Sequence, residues 1–229
     1  MGPANQPGGA RVDPVNLGIV TRPAICFDLD GTLVDSLPDI IGSIAASLVE
    51  HGLADPGDAP IRSLVGLPLE DMFTELAPGS DVSALSGSYR RIYPTRFTQS
   101  SHVFGDTVEV LESLRAKGYL LAVTTTKRTP IARDLVAALG LTDHLDLVQG
   151  TDDFPAKPSP EVIHRALAEL GAQGTWMVGD TTHDIKAGRA ADLSTYAVCR
   201  PGATHDRERL VTASPHHLEE SLLPLLDLV

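Results

Sequence analysis

The chain has 229 residues, 42% of them hydrophobic and 21% charged, with a formal net charge of −12 at pH 7. That length supports a full hydrophobic core plus one sizeable insertion, and the composition is ordinary for a soluble globular protein. The acidic balance and the lack of any Lys/Arg run argue against a nucleic-acid binder; an anionic substrate would need a metal ion or a few placed cations to enter such a field.

Residues 1–22 are rich in Gly, Pro, Asn and Gln and read as a disordered leader. Met1-Gly2 opens like a myristoylation site, but Gln6 stands where Ser or Thr is wanted. No positive region followed by an apolar one marks a signal peptide, and no apolar stretch reaches the ~18 residues of a membrane span. The expected compartment is the cytoplasm. Cys26 and Cys199 both sit in apolar, strand-like runs and read as buried free thiols, with no disulfide framework.

Structure is expected to begin at Ala24–Leu29, a short apolar run suited to a strand covered on both faces. A helix follows, with Ile40, Ile41, Ile44, Ala45 and Leu48 at 3.6-residue spacing and Gly52 as its stop. Residues 55–60 are a turn cluster, and Leu69–Leu76 and Val82–Phe97 read as further helices. Residues 37–100 thus contain helices and no convincing strand.

Beyond His102 strands and helices alternate. The expected strands are Tyr119–Thr124, Leu145–Gln149, Thr175–Val178 and Thr195–Val198. The expected helices are Thr107–Lys117, Pro130–Leu139, Pro160–Leu170, Asp184–Ala191 and a last one over His217–Leu228. Alternation of this kind predicts an α/β fold: a Rossmann-like parallel sheet with helices on both faces. Ligands of such sheets bind at the carboxyl ends of the strands. The division expected is a core of residues 23–36 and 101–229, with an inserted all-helical cap at 37–100.

The polar residues with chemistry to offer fall at those strand ends. The first strand runs into Asp28-Leu29-Asp30-Gly31-Thr32. Two carboxylates two residues apart repel, and burial raises their pKa values further; a divalent cation with oxygen ligands resolves the conflict. One carboxylate can bind the metal and present an oxygen to phosphorus while the other handles protons. After Trp176-Met177-Val178 comes Gly179-Asp180-Thr181-Thr182-His183-Asp184, which supplies two more carboxylates, with Asp184 also placed to cap a helix. Thr124-Thr125-Thr126 follows another strand and offers hydroxyl donors to a phosphoryl oxygen. Lys157, between Ala156 and Pro158, can neutralise phosphate charge and hold a nucleophilic carboxylate. His183 is not expected to be a ligand of a hard cation, and His216-His217 reads as a surface pair.

As a set these four segments resemble the haloacid dehalogenase superfamily, most closely its phosphoglycolate phosphatase-like branch, over about residues 23–229. The resemblance implies a magnesium-dependent phosphatase. Asp28 matches the nucleophile and a metal ligand. Asp30 matches the general acid/base, with its backbone carbonyl on the metal. Asp180 and Asp184 match the remaining metal carboxylates, and Lys157 the phosphate-binding lysine. Thr125 matches the phosphoryl-contacting hydroxyl, with Thr124 and Thr126 as alternatives. Thr126 departs from the family pattern, which often has Asn there, followed by a lysine that is Lys127 here. The segment Ile61–Pro68 resembles a substrate-facing loop, so Arg62 is a candidate for a substrate carboxylate or second phosphate. The expected partner is a small phosphorylated metabolite, with no nucleic acid or membrane, and the chain acts as a monomer or homodimer. A sugar-phosphate mutase and an inorganic pyrophosphatase share the same core residues and stand as alternatives; a dehalogenase lacks the Asp30-type acid, and an idle binding protein would not need the whole set.

Overall fold

The computed structural model describes residues 21–229. The leader expected at the N-terminus lies outside the described residues except for Thr21 and Arg22, and the Arg22 carbonyl accepts a hydrogen bond from the Gln173 amide.

In chain order the elements are β1 (Pro23–Phe27), β2 (Val34–Asp35), α1 (Leu37–Glu50), α2 (Asp58–Arg62), α3 (Leu69–Leu76), α4 (Val82–Ile92) and β3 (His102–Val103). There follow α5 (Thr107–Ala116), β4 (Leu120–Thr124), α6 (Thr129–Ala138), β5 (Leu147–Gln149), α7 (Glu161–Leu170) and β6 (Gln173–Gly179). The chain closes with α8 (Thr182–Ala190), β7 (Ser194–Val198), α9 (Arg207–Thr212) and β8 (His217–Glu219).

Six strands form one parallel sheet in the order β5-β4-β1-β6-β7-β8. β1 is interior, and its Ala24, Ile25, Cys26 and Phe27 are fully buried because helices cover both faces. Alternation splits the strand between two cores. Ile25 and Phe27 pack with Val110, Leu111, Leu114 and Leu135, whereas Cys26 packs with Val162, Ile163, Ala166 and Met177. From β1 the chain builds outward through β4 and β5 on one side, then returns to add β6, β7 and β8 on the other. This reversal opens a crevice at the carboxyl end of β1, where such folds bind ligands.

The segment between β2 and β3 forms its own core. α1 buries Ile40, Ile41, Ile44 and Leu48 against Phe73, Leu85 and Tyr93. Full burial of each large aliphatic side chain contributes roughly 1.5–3 kcal/mol, so this stripe is a main source of the cap's stability. At the cap's base, β2 and β3 pair antiparallel, Val34 opposite Val103 and Asp35 opposite His102. Buried Asp39 in the first turn of α1 accepts hydrogen bonds from the amides of Ser100 and Ser101 and the Ser101 hydroxyl, at 2.9, 2.8 and 2.8 Å. None of the described helices is long and apolar enough to cross a membrane.

Three local expectations are corrected. His217–Leu228 is not a helix: His217–Glu219 is the edge strand β8, and a 3-10 turn covers Leu223–Asp227. The Glu219 carbonyl accepts from the Cys199 amide beside β7, and Pro224 removes a donor that an α-helix would use. The Val82–Phe97 helix ends at Ile92 and tightens to a 3-10 turn at Tyr93–Thr95, which contains Pro94. Cys26 is buried as expected, but Cys199 lies just past β7 and is only partly covered.

Candidate active site

Asp28 continues β1 by one ladder bond, its amide donating to the Val178 carbonyl at 2.8 Å. The chain then turns at Gly31, where φ is +85°, and a Cβ would lie 2.3 Å from Asp180 Oδ2. Both the positive φ and this approach require glycine. Buried Leu29 and Leu33 anchor the turn, with the amides of Leu33 and Val34 both donating to the Leu29 carbonyl.

On the neighbouring strand, β6 ends at Gly179, so that Asp180 faces Asp28 across the strand ends. Thr181 then caps α8. Its hydroxyl and amide both donate to Asp184 Oδ2, at 2.6 and 2.9 Å, and the Asp184 amide donates back to the Thr181 hydroxyl. This capping box fixes Asp184 in the first turn, where the helix dipole favours a negative charge.

Lys157 reaches this point from the β5–α7 loop and is 3% exposed. Its three ammonium donors go to Asp28 Oδ1 at 2.6 Å, Asp184 Oδ1 at 2.5 Å and the Thr124 carbonyl at 2.9 Å. The ammonium is thereby saturated. Burial alone would lower the Lys157 pKa, but Asp184 and Asp28 outweigh it and hold the pKa above its ordinary value.

One oxygen from each of Asp28, Asp180 and Asp184 lies within 4.8 Å of the others. Asp180 Oδ1 accepts from the Thr32 hydroxyl at 3.1 Å, while buried Asp180 Oδ2 has no hydrogen-bond partner. Burial, with Lys157 opposing and Asp184 and Asp30 adding to it, pushes Asp28 up to about 7. Asp180 is pushed well above the usual carboxylate range by burial and then by Asp184 and Asp28. For Asp184 burial acts upward, yet Lys157 and Thr181 win and hold it below its ordinary value. Three buried carboxylates facing one lysine leave a negative excess, and an orphaned oxygen points into it. This donor set fits a metal ion held by hard oxygen ligands.

The Asp30 carboxylate sits apart from that cluster. Its Oδ1 accepts from the Ser36 hydroxyl at 2.5 Å, and Lys127 Nζ is 3.2 Å from its Oδ2. Lys127 also donates to the Tyr93 hydroxyl at 3.2 Å and lies over that ring, so it joins the core to the cap. Among the threonines, the Thr124 hydroxyl contacts Met177 Sδ at 3.5 Å. The Thr125 hydroxyl accepts from the Lys127 amide at 3.2 Å, which leaves its own proton to donate. Thr126 lines the cavity above the site.

That cavity has a volume of about 690 Å³, with Asp28, Asp30 and Asp180 on its core side and α1, α3 and α4 residues on the other. Arg62 does not line it; its guanidinium donates to the Gly202 carbonyl at 2.7 Å, from cap to core. His183 is likewise outside the carboxylate cluster. Residue-type reading missed the supporting contacts. Arg200, 8% exposed, donates to the Thr32 carbonyl at 3.0 Å and to Asp106 Oδ1 at 2.8 Å, bracing the loop after Asp28 from residues far away in sequence. Thr32 and Ser36 did carry a signal, since both are hydroxyls within the Asp28–Ser36 segment.

A buried carboxylate held by lysine, beside a metal-type cluster and a second carboxylate with its own partners, is suited to taking a phosphoryl group from an ester. The chain is a hydrolase acting on phosphate esters. It belongs to the haloacid dehalogenase-like hydrolases, whose family model matches residues 25–198. It is 35% identical to the probable phosphatase IndB of Dickeya dadantii, across 85% of this chain and 87% of that protein. It is 30% identical to the pyrophosphatase PpaX of Halalkalibacterium halodurans, covering 90% and 95% of the two chains. The phosphoglycolate phosphatase of Mesorhizobium japonicum is 31% identical, over 78% of this chain and 83% of that one. Among solved structures, a haloacid dehalogenase-like family hydrolase from Streptococcus pneumoniae superposes with a TM-score of 0.81 at 27% identity, covering 91% of this chain and 98% of that one.

Proposed function

We propose that this chain is a magnesium-dependent phosphatase that hydrolyses a small organic phosphomonoester through an aspartyl-phosphate on Asp28. The observation that carries the reading is the Lys157 ammonium bridging Asp28 and Asp184 beside the orphaned Asp180 Oδ2. Asp28, Asp180 and Asp184, with the Asp30 carbonyl, would hold the metal. A hard divalent ion bound there neutralises charge between these carboxylates and the phosphoryl oxygens.

In the first half-reaction an Asp28 carboxylate oxygen attacks phosphorus as the bond to the leaving oxygen breaks. The Thr125 hydroxyl holds an equatorial oxygen and Thr126 faces the substrate, while Lys157 keeps its bonds to Asp28 and Asp184 and offsets phosphoryl charge from behind the nucleophile. Asp30, held by Ser36 and Lys127, gives its proton to the departing alkoxide. In the second half Asp30 takes a proton from water, whose oxygen attacks phosphorus and releases inorganic phosphate and the Asp28 carboxylate.

The relatives' names put phosphoglycolate and pyrophosphate among the candidate substrates. Residues 37–100 act as the cap over a core of 23–36 and 101–229, opening for substrate and closing to exclude water. The net charge of −12 argues against nucleic acid as a partner, and the reading places the chain in the cytoplasm, acting on metabolites as monomer or homodimer.

The test is phosphate release from a panel of phosphoesters, each run with magnesium and with chelator. Release is expected with magnesium only, and Asp28→Asn should lower it by on the order of 10⁴-fold or more, as loss of a covalent nucleophile does. Near-native turnover by that variant would remove Asp28 from the nucleophile's role.

A further inference from the structure

The far wall of the cavity carries information about the leaving group that the catalytic residues do not. On the cap side it presents Val65, Leu67, Leu69, Met72, Tyr89 and Tyr93. Its volume falls in the roughly 300–1,000 Å³ range of pockets that bury drug-sized organic ligands. A two-carbon acid phosphate would occupy only a small part of it.

Charge sharpens the point. The basic side chains lining the cavity are Arg90 on the cap and Lys127 and Arg128 on the core. Each is matched to an acid: Arg90 to Glu70, Lys127 to Asp30 at 3.2 Å, and Arg128 to Asp152 at 3.7 Å. Asp153 also lines the cavity, with no basic partner among the described residues. Arg62, the sequence candidate for a second anion, is turned to the Gly202 carbonyl outside the cavity. A carboxylate or second phosphate on the leaving group would thus enter a cavity whose lining cations are each already matched to an acid, with a surplus acid beside them. Burying an unpaired charge there is costly, whereas apolar surface is taken out of water at a gain.

We propose that the leaving group this enzyme selects is an uncharged, largely apolar alcohol, aromatic or branched, rather than an anionic one. The proposal rests on the phosphatase reading above and deepens it. Recognition is divided: the strand ends bind the phosphoryl group, and the cap wall sorts the alcohol by apolar fit.

The experiment measures kcat/KM with magnesium for three esters that share a primary O–CH₂ linkage: ethyl phosphate, phenethyl phosphate and phosphoglycolate, with pyrophosphate alongside. One added methylene in an apolar pocket discriminates by roughly 10–200-fold, so phenethyl phosphate should exceed ethyl phosphate by at least about tenfold. It should also exceed phosphoglycolate and pyrophosphate. Leu69→Trp, which fills the wall from a half-buried position, should reduce the phenethyl-to-ethyl ratio. Preference for phosphoglycolate or pyrophosphate, or equal rates for the ethyl and phenethyl esters, would overturn the proposal. Failure of every ester, simple ethyl phosphate included, would instead count against phosphatase chemistry. In that event calorimetric binding still decides the wall's preference: phenethylphosphonate tighter than phosphonoacetate supports the proposal, and the reverse order overturns it.

Discussion

The two walls of the cavity are built on opposite principles. On the core side, Asp28, Lys157, Asp180 and Asp184 are ionisable and between 1% and 7% exposed. They converge at the strand ends from β1, β6, α8 and the β5–α7 loop, and are locked by each other, by Thr32 and by the Thr181 capping box. On the cap side the wall is apolar, and its charged residues pair off at the surface. Buried charge must be satisfied in one geometry or it is destabilising, so the core side is rigid by necessity. Apolar contact is non-directional, so the cap side can change shape and composition at lower cost. The phosphoryl chemistry is therefore fixed where the leaving-group preference is adjustable.

The sharpest way to break the core side is Lys157→Met, which removes the one cation and leaves Asp28 and Asp184 facing each other. Removal of one partner of a buried ion pair costs about 3–5 kcal/mol, and urea unfolding of the metal-free protein at neutral pH should show a loss of that order. A comparable change on the cap side, such as a substitution at half-buried Leu67, should cost far less.

Acid titration tests the same wall without mutation. Asp28 and Asp180 have folded pKa values above their unfolded ones. Their contribution is therefore fully present below about pH 4, the unfolded carboxylate value, and is lost as pH rises toward about 7, where Asp28 ionises. Asp184 has the opposite sign: its contribution is present above the ordinary carboxylate range and is lost as pH falls through its depressed value. Metal-free protein should thus lose stability in urea between pH 5 and pH 8, measured as a falling midpoint. Magnesium, which favours the ionised carboxylates, should flatten that slope. A slope indifferent to magnesium would mean the carboxylate cluster is not its site.

Thr181→Ala gives the smallest effect. It deletes the N-cap of α8 and one of the three hydrogen bonds to the Asp184 carboxylate, at about 1 kcal/mol in unfolding. Its effect on metal affinity, read by calorimetry, should be larger in proportion than its effect on stability.

Much of the core side was legible in the chain because each part is local. A short apolar run followed by Asp-x-Asp-Gly announces a strand end with two carboxylates, and Gly179-Asp180 to Asp184 announces a strand, a cap and a helix in six residues. Strand and helix positions followed from period alone over most of the sheet. What failed to show was contact between distant segments. The hold of Lys157 on the nucleophilic carboxylate was expected, but nothing local states that it also spends donors on Asp184 and Thr124, or that Arg200 braces Thr32. His217-Leu218-Glu219 became a strand because β7 offered an edge, a tertiary fact that outweighs the helical pattern of the residues after it. Arg62 was named from its place in a loop, and its side chain found a carbonyl across the cap–core boundary instead.

The base of the cap has a further consequence. The chain leaves the core at Asp35 and returns at His102, and these two residues are directly paired in a two-residue ladder, reinforced by Asp39 on Ser100 and Ser101. The chain thus enters and leaves the insertion at one point, where its two ends already touch. To the sheet it is equivalent to a hairpin turn, and loop-closure entropy grows only as the logarithm of the length enclosed. An insertion so tethered can be lengthened, shortened or exchanged for another without altering the path of β1 or β4.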